Sequence, residues 1–261
     1  MPPLLHHPPR ISLYYSLKNN QKGVKDMAQY IFSRTEKKYA VPPSIYEEVC
    51  EYVRQFMSPD KDYPTYTLCN IYYDNDHFEL ARRSVEKPKF KQKLRMRSYG
   101  TPNHDSKVYV EIKTKYKGVV YKRRIGMKYH EAVAYLSGEE PPKDTQIARE
   151  ITYFKNLYSL KPKVYIAYER IAFSGNEDKN LRLTMDTNIR YRFDRLSLAE
   201  GDEGMLLVPD GTKIMEIKAV GAFPAEILEL IRRFSLSPVS FSKYGRIYQK
   251  HYIEQKEIAH V

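Results

Sequence analysis

The segment FKQKLRMRSYG places a cation at every second position. Lys91, Lys93, Arg95 and Arg97 alternate there with mostly apolar residues. Because successive side chains of a β-strand point to opposite faces, the segment predicts a strand with aligned positive charges on one face and a packing face on the other. Like charges that lie opposite one another destabilise a sheet, so we expect the cationic face to meet water or an anion.

The same period-two pattern recurs along much of the 261-residue chain. It predicts an α+β fold, in which an antiparallel sheet of about eight strands turns its apolar face toward helices packed on the outside. If the sheet curls with its cationic face inside, it forms a β-tunnel with room for an anionic ligand. We expect a flexible N-terminal tail at 1–26 and one domain at 27–261. The predicted strands are 30–41, 65–75, 89–99, 107–117, 119–128, 161–175, 181–193 and 211–220. The predicted helices are 43–57, 77–87, 129–137, 144–158, 224–234 and 242–255, with a loop at 194–210.

Alternate residues of these strands form a candidate site of many cations and few carboxylates. Lys+Arg 44 against Asp+Glu 32 gives a net charge of +12, which favours an anionic partner without choosing among nucleic acid, membrane surface and phosphate compounds. The aligned cations extend from Lys91 to Arg192, which is more charge than one triphosphate neutralises. The predicted face comprises Arg34, Glu36, Lys38, Lys91, Lys93, Arg95, Arg97, Glu111, Lys113, Lys115, Lys122, Arg124, Tyr168, Arg170, Arg182, Thr184, Asp186, Glu216 and Lys218.

Three glutamates, Glu36, Glu111 and Glu216, lie among the cations of this face. Each can be a salt-bridge partner or a ligand of Mg²⁺ or Mn²⁺, which take oxygen donors and bridge phosphates. The histidines have no metal-ligand spacing, which argues against zinc. Neither GxxxxGK followed by Ser or Thr nor GxGxxG occurs, so phosphates must be bound by side chains rather than by a backbone loop.

An ordered series of motifs across about residues 30–250 resembles a known family. RTEKKYAV, a Tyr-Tyr-Asp after a strand, KLRMRSYG, VYVEIKTK, KRR, YERIAF, LRLTMD, IMEIK and FSKYG follow one another in the chain. The series resembles the VTC domain, the polyphosphate-polymerase branch of the triphosphate tunnel metalloenzyme superfamily. The related CYTH enzymes begin with ExExK, whereas this chain has Arg34 in place of the first glutamate. That difference favours the polymerase branch.

The resemblance implies a tunnel with Glu216 as the principal metal ligand and a lining of Lys38, Arg95, Arg97, Lys113, Lys122 or Arg124, Arg170, Arg182 and Lys218. Glu36 and Glu111, which lie on the same predicted face, are the next candidates for a metal ligand. It also implies that Lys243 reaches in from the C-terminal helix, which strand alternation does not predict. We assign catalytic roles to Lys38, Arg95, Arg97, Arg170 and Arg182. We assign phosphate binding to Lys93, Lys113, Lys122, Arg124, Lys218 and Lys243.

The function implied by the resemblance is an ATP-dependent polyphosphate polymerase that uses Mn²⁺ or Mg²⁺. Two alternatives stay open: a metal-dependent tripolyphosphatase or nucleoside triphosphatase, and a non-enzymatic polyphosphate-binding module. Binding of RNA is disfavoured, because no RNP-like or helix-turn-helix pattern occurs. Two cysteines, no disulfide framework and no apolar run of the ~18 residues of a membrane helix favour a cytoplasmic setting. A membrane-protein partner that receives the polymer at the inner face of a membrane is compatible with this expectation.

Overall fold

The computed structural model describes residues 34–60, 65–86, 88–117, 119–209 and 211–253. The predicted tail at 1–26 and the start of the first predicted strand lie outside these residues. Most predicted elements are present within a few residues of their expected bounds. The elements are β1 (Arg34–Val41), α1 (Tyr46–Arg54), β2 (Met57–Pro59), β3 (Tyr66–Asp74), α2 (Glu79–Glu86), β4 (Phe90–Tyr99), β5 (Lys107–Tyr116), β6 (Val119–Lys128), α3 (Tyr129–Ser137), α4 (Gln146–Leu157), β7 (Lys161–Gly175), β8 (Arg182–Arg192), β9 (Met205–Leu206), β10 (Lys213–Val220), α5 (Ala225–Arg233) and α6 (Lys243–Tyr248).

One antiparallel sheet contains all the strands, in the order β1-β10-β8-β7-β3-β4-β5-β6, with β2 paired to β7 and β9 paired to β8. The predicted α+β class with a large antiparallel sheet is therefore confirmed. Within the described ranges, β1 and β6 are the two ends of this order and do not pair with each other. A short 3-10 turn at Pro43–Ile45 precedes α1, and a π-helical turn at Gln249–Ile253 extends α6.

The sheet curls so that β4 approaches β1, although four strands separate them in the sheet order. The segment 238–243 bridges the gap. The amide of Val239 donates to the carbonyl of Lys38 on β1 at 2.7 Å. The ammonium of Lys93 on β4 donates to Ser242 Oγ at 2.8 Å. Such a short bridge is incompatible with a flat sheet, in which strands lie about 4.8 Å apart. We call the inner side of the curl the concave face.

Two apolar clusters cover the outer side of the sheet. One packs β3, β4 and β5 against α3 and α4, with Val110, Leu94 and Ile151 fully buried. The other packs β1, β8 and β10 against α1 and α5, with Leu183 and Ile217 fully buried. These are the apolar faces that the alternation predicts. None of the helices in the described ranges is long and apolar enough to cross a membrane.

A third apolar cluster fills part of the concave face, where α6 packs onto the sheet. Tyr244 of α6 stacks on Tyr72 of β3 with ring centroids 5.0 Å apart. Its hydroxyl donates at 2.8 Å to Asp74, a fully buried carboxylate that also accepts the amides of Leu80 and Ala81 at the start of α2. This carboxylate therefore joins β3, α2 and α6, and it fixes the helix that carries Lys243.

The strict alternation predicted for 181–193 is wrong beyond Asn188. Asn188 has a left-handed backbone with φ 48°, and the pairing of β8 with β7 shifts register between Ala167 and Glu169. The irregularity exchanges the two faces of β8, so Ile189 packs with the concave-side cluster. Arg192 is buried instead among loop carbonyls, and its guanidinium lies 3.6 Å from the ring centre of Tyr165. Arg192 therefore does not belong to the cationic face.

Two short strands are additional to the prediction. The strand Met57–Pro59 begins at the last residue of the predicted helix 43–57, and Met205–Leu206 lies in the predicted loop at 194–210. Each has at most three residues, too few for a period-two pattern to be distinct from chance. Both add to the edges of longer strands and leave the order of the main sheet unchanged.

Replacing Tyr244 by Phe should lower the free energy of unfolding by about 1–2 kcal/mol, because the buried carboxylate of Asp74 loses one donor that water does not replace. Urea unfolding of wild type and Tyr244→Phe measures the difference. The control is Tyr153→Phe, which removes a hydroxyl from a side chain that is 61% exposed on α4. Equal unfolding midpoints for wild type and Tyr244→Phe would contradict this account of α6.

Candidate functional site

Three buried carboxylates organise the concave face, and each is shared by two cations. Glu216 on β10 contacts two lysines, Glu111 on β5 contacts two arginines, and Asp186 on β8 contacts one of each. We call Glu111, Asp186 and Glu216 the shared carboxylates. Each group of two cations and one anion keeps a net positive charge. The face can therefore attract an anion although its carboxylates are ionised.

The first group lies at β1 and β10. Glu216 is 8% exposed, lies 3.4 Å from the ammonium of Lys38 and contacts that of Lys218. Burial raises the pKa of the Glu216 carboxyl, but the ammonium groups of Lys38 and Lys218 outweigh it and hold that pKa well below its usual range. Lys38 also donates to the carbonyl of Phe241 at 2.9 Å. The C-terminal segment therefore meets this group directly.

The second group lies at β4, β5 and β6. The Arg95 guanidinium donates to Glu111 Oε2 from two nitrogens, at 2.9 and 2.7 Å, and to the hydroxyl of Tyr72 at 3.1 Å. Arg124 lies 3.9 Å from Glu111 and 4.3 Å from the ring centre of Tyr109. Burial raises the pKa of the Glu111 carboxyl, but the neighbouring guanidinium groups lower it overall. Oxygen Oε1 of Glu111 is buried, and no described group donates a hydrogen bond to it.

The third group lies at β7, β8 and α6. Arg170 donates to both oxygens of Asp186, at 2.6 and 2.8 Å, and the ammonium of Lys243 contacts the same carboxylate. Burial opposes ionisation of Asp186, but Lys243 and Arg170 lower its pKa to about 2. The ammonium of Lys243 also lies 4.0 Å from the ring centre of Tyr168. The expected approach of Lys243 to the strands is therefore present in the structure.

Arg97 differs from the other arginines of this face because its hydrogen-bond acceptors are neutral. It is 9% exposed, and it donates to Asn70 Oδ1 at 2.8 Å and to the hydroxyl of Tyr168 at 2.9 Å. Within the described ranges, no carboxylate forms a salt bridge with it. A buried guanidinium without a counter-ion favours the binding of an anion, because the anion supplies the charge that the protein does not.

Lysines form a row across three strands. Lys93, Lys113 and Lys122 lie directly opposite one another on β4, β5 and β6. Burial, together with the nearby ammonium groups of Lys113 and Lys38, lowers the pKa of Lys93 to about 7, although Tyr72 opposes the shift. Burial also lowers the pKa of Lys113 and of Lys122. This lysine row is therefore a place where positive charge is held close together and partly dehydrated.

The remaining predicted site residues lie toward solvent. Arg182 is exposed at the start of β8, where it contacts Ser174, and Lys122 and Arg124 are exposed on the edge strand β6. Glu36 is half-buried on β1 and lies opposite Lys218. These residues share the concave face with the buried groups, but they line its rim rather than its interior.

A divalent metal fits the carboxylates of this face. In the β1–β10 pairing Glu36 lies diagonal to Glu216, a relation in which long side chains reach one another. Carboxylate oxygens suit Mg²⁺ and Mn²⁺. The partners of Glu216 are two flexible lysines, which can turn from the carboxylate to phosphate oxygens when an ion binds. Oxygen Oε1 of Glu111, to which no described group donates a hydrogen bond, is a further oxygen donor.

One group of potential metal ligands lies elsewhere, although the histidine spacing in the sequence gives no sign of it. His104, Asp105 and His130 meet at the surface, where the β4–β5 loop meets α3. The imidazole rings stack in parallel with centroids 4.0 Å apart, and Asp105 forms a salt bridge with Lys128 at 3.0 Å. Because parallel rings direct their lone pairs alongside one another and the carboxylate has a partner, this group does not form a preorganised metal site.

Several neutral residues of the face were not assigned a role from the sequence. Asn70 and Tyr168 hold Arg97, Tyr72 accepts from Arg95, and Ser242 accepts from Lys93. Strand alternation predicts Tyr168 on the cationic face. The same alternation on β3 places Asn70 and Tyr72 there, so it could have identified both as partners of the arginines. Ser242 lies outside any strand, and its contact depends on the bridge made by 238–243.

The fold and the site define a class of protein. Proteins of this class have a curled antiparallel sheet whose concave face carries cations and shared carboxylates. A solved structure from Bacillus halodurans, described as a candidate adenylate cyclase, has the same fold. It superposes with a TM-score of 0.52 over 83% of this chain and 96% of that chain, at 15% sequence identity. At this identity the likeness concerns the fold alone.

Sequence comparison then gives the family. The VTC domain matches residues 33–252, so the chain belongs to the VTC domain family. Vacuolar transporter chaperone complex subunit 4 of Trypanosoma brucei brucei is 29% identical over 154 residues, 47% of this chain and 19% of that protein. The subunit 4 of Schizosaccharomyces pombe is 26% identical over 191 residues, 62% of this chain and 26% of that protein. The chain thus matches about a quarter or less of these relatives' length.

Replacing Lys93 by Met should raise the free energy of unfolding near pH 6 by more than about 1 kcal/mol, because each unit by which a pKa is shifted is equivalent to about 1.4 kcal/mol. The pKa of about 7 in the folded chain lies below the ordinary lysine pKa of 10.5, so the unfolded chain binds more protons between these two pH values. The destabilisation by Lys93 is complete below pH 7 and disappears as the pH rises toward 10.5. Urea unfolding from pH 6 to 10 should therefore give a difference that shrinks with pH.

The control for this titration is Lys143→Met, which removes an exposed lysine between α3 and α4. Its unfolding free energy should follow that of wild type at every pH. A constant difference between wild type and Lys93→Met across the range would mean that Lys93 titrates normally in the folded chain.

Proposed function

We propose that this chain is an ATP-dependent polyphosphate polymerase. The observation that carries the proposal is the concave face itself, where a buried arginine without a counter-ion adjoins a row of lysines. Arg97 hydrogen-bonds to neutral acceptors, and the three lysines of the row lie opposite one another, so this part of the face holds more positive than negative charge. Membership of the VTC domain family supports the same substrate class, because the resemblance stated above implies polyphosphate chemistry.

The proposed reaction is a phosphoryl transfer between phosphates. A terminal oxygen of the polyphosphate chain attacks the γ-phosphorus of ATP, and a new P–O–P bond forms. The bond from the γ-phosphorus to the β,γ-bridging oxygen breaks, and ADP leaves with its electron pair. The attacking oxygen is already ionised at neutral pH, so the reaction needs placement and charge neutralisation more than a proton acceptor.

The arginines supply most of that neutralisation in the proposed mechanism. Arg95, Arg97 and Arg170 present planar guanidinium groups that bind phosphate oxygens by paired hydrogen bonds. The contacts of Arg95 to Glu111 and of Arg97 to Asn70 hold these two groups in place before substrate arrives. A divalent ion held by Glu216 with Glu36 or Glu111 would shield the negative charge of the transferring phosphoryl group.

The lysines favour a chain of phosphates over water as the acceptor. Burial and neighbouring cations lower the pKa values of Lys93, Lys113 and Lys122, so these lysines lie where positive charge is unfavourable without an anion. A polyphosphate chain along the row would satisfy several cations at once. Water, the acceptor in a tripolyphosphatase, would satisfy none of them. This asymmetry favours the polymerase over the hydrolase.

The relatives suggest a setting for the activity. The trypanosome and fission-yeast proteins are described as subunits of a vacuolar transporter chaperone complex. We extend this to the chain as a proposal: the domain acts on the cytoplasmic side and passes polymer to a membrane-protein partner. Nucleic acid is not expected to be a partner, because no RNP-like or helix-turn-helix pattern occurs in the sequence.

Incubation of the purified chain with ATP and Mn²⁺ should produce polymer much longer than triphosphate, with ADP as coproduct and little free phosphate. Gel separation of products by size and a phosphate assay measure the two outcomes. Stoichiometric phosphate without polymer would establish the hydrolase instead. No turnover of any triphosphate with Mn²⁺ or Mg²⁺ would favour the binding module.

Two arginine variants, one a test and the other its matched control, check the site in the same assay. Arg97→Ala should reduce turnover by on the order of 10²-fold, the effect of removing one donor to a developing charge. Arg123→Ala should retain wild-type activity, because Arg123 on β6 pairs with Glu150 of α4 at 2.8 Å on the outer side of the sheet. Equal losses in both variants would assign the effect of Arg97→Ala to the fold.

Replacing Glu216 by Gln should abolish metal-dependent turnover while polyphosphate still binds, because the substitution removes an anion and leaves the cations. A titration of activity with Mn²⁺ and a thermal shift with polyphosphate separate these effects. Glu150→Gln, on the outer side of the sheet, is the control. A metal titration unchanged from wild type would transfer the ligand role to Glu36 or Glu111.

A further inference from the structure

Asp186 is the shared carboxylate for which neither the sequence nor the proposed reaction requires a role. It is 1% exposed and lies on β8, directly opposite Arg170 of β7. A carboxylate in a site for polyanions weakens ligand binding, because it cancels positive charge. Because Asp186 contacts two of the cations, its role in the site must be something other than ligand affinity.

Asp186 fixes the orientation of the Arg170 guanidinium. It accepts from Nε at 2.6 Å and from Nη2 at 2.8 Å, the paired geometry that locks a guanidinium in one plane. No described residue accepts a hydrogen bond from Nη1 of Arg170. The arginine therefore presents one defined nitrogen for a further acceptor rather than a freely rotating fork.

The same carboxylate draws in Lys243 from a different part of the chain. Lys243 is the first residue of α6, and its ammonium contacts Asp186 Oδ2 while it lies over the ring of Tyr168. The hydroxyl of that tyrosine accepts from Arg97. Asp186 is thus the common partner through which Arg170 and Lys243 take fixed positions beside Arg97.

We propose that Asp186 is a positioning residue, which gives up affinity for phosphate in order to hold Arg170 and Lys243 at one phosphoryl group. This rests on the proposed phosphoryl transfer. Binding of a polyanion depends mainly on total charge, whereas transfer depends on where each donor lies when charge moves. Loss of the carboxylate should therefore affect the two in opposite directions.

Asp186→Asn tests the proposal, because the amide keeps the size of the side chain and removes its charge. Polyphosphate should bind at least as tightly as to wild type, and kcat should fall on the order of 10- to 100-fold, the effect of a misplaced group. Titration calorimetry measures binding, and steady-state ADP release gives kcat and KM. Asp186→Glu restores the charge one methylene farther out and should bind polyphosphate as wild type does, with partial recovery of kcat.

Asp202→Asn is the matched control. Asp202 forms a salt bridge at 2.5 Å with Arg190 of the same strand, beyond the face exchange at Asn188 and outside the candidate site. Its replacement should leave both polyphosphate affinity and kcat at wild-type values. Parallel losses of affinity, kcat and thermal stability in Asp186→Asn would mean that Asp186 is merely structural, and an unchanged kcat would equally overturn the proposal.

A second measurement does not depend on turnover. The amine of Lys243 should react several-fold faster with an N-hydroxysuccinimide ester in Asp186→Asn than in wild type, since the carboxylate no longer holds it. Mass spectrometry compares that rate with the rate at Lys143 in the same sample. If wild type proves inactive but Lys243 is released as expected, the polymerase proposal fails while the positioning of Lys243 stands. Equal labelling in both proteins would overturn the role of Asp186.

Discussion

Sharing of one carboxylate between two cations is the interaction on which the concave face depends. A buried ammonium or guanidinium alone loses its hydration at a cost of several kcal/mol, and a row of them would also repel one another. Glu216, Glu111 and Asp186 each reduce that cost for two cations at once. Complete pairing would have left a neutral face with no attraction for an anion. One carboxylate for every two cations reduces the cost of burying them and still leaves the face positively charged.

The balance differs from place to place along the face. Around Asp186 the guanidinium of Arg170 and the ammonium of Lys243 are paired and their positions are fixed. Lys93, Lys113 and Lys122 lie opposite one another with no carboxylate between them. Burial lowers the pKa of each of these lysines, so each carries its positive charge less readily than a lysine in water. The fixed part suits chemistry at one phosphoryl group, and the adaptable part suits a repeating chain whose phosphates have no fixed register.

Much of the site could be predicted from the sequence because a strand has a period of two. Arg95 and Arg97 lie on the same face of β4. Once the register between β4 and β5 is known, it places Glu111 and Tyr109 opposite them. The apolar cover of α3 and α4 follows from the same alternation. The approach of Lys243 came from the family resemblance, because no local pattern links α6 to β8.

What the sequence did not reveal arises from irregular backbone and long-range contacts. The left-handed Asn188 exchanges the faces of β8, and no composition rule separates this asparagine from one in a regular strand. The partner of Arg170 depends on the register between β7 and β8. The bridge from Lys38 through 238–243 to Lys93 joins residues whose positions in the chain are far apart. Such contacts are properties of the assembled fold.

That bridge has a consequence for the order in which the protein assembles. Pairing of β1 with β10 and docking of 238–243 close loops of about two hundred residues, which are among the slowest contacts for a chain to find. Lys93 and Lys243 take their final positions only after those loops close. An intermediate with only the β3–β6 hairpins would carry unshielded lysines and no finished site. Polyphosphate bound between β4 and α6 would then act as a non-covalent crosslink between early and late segments, slowing their separation in the native state.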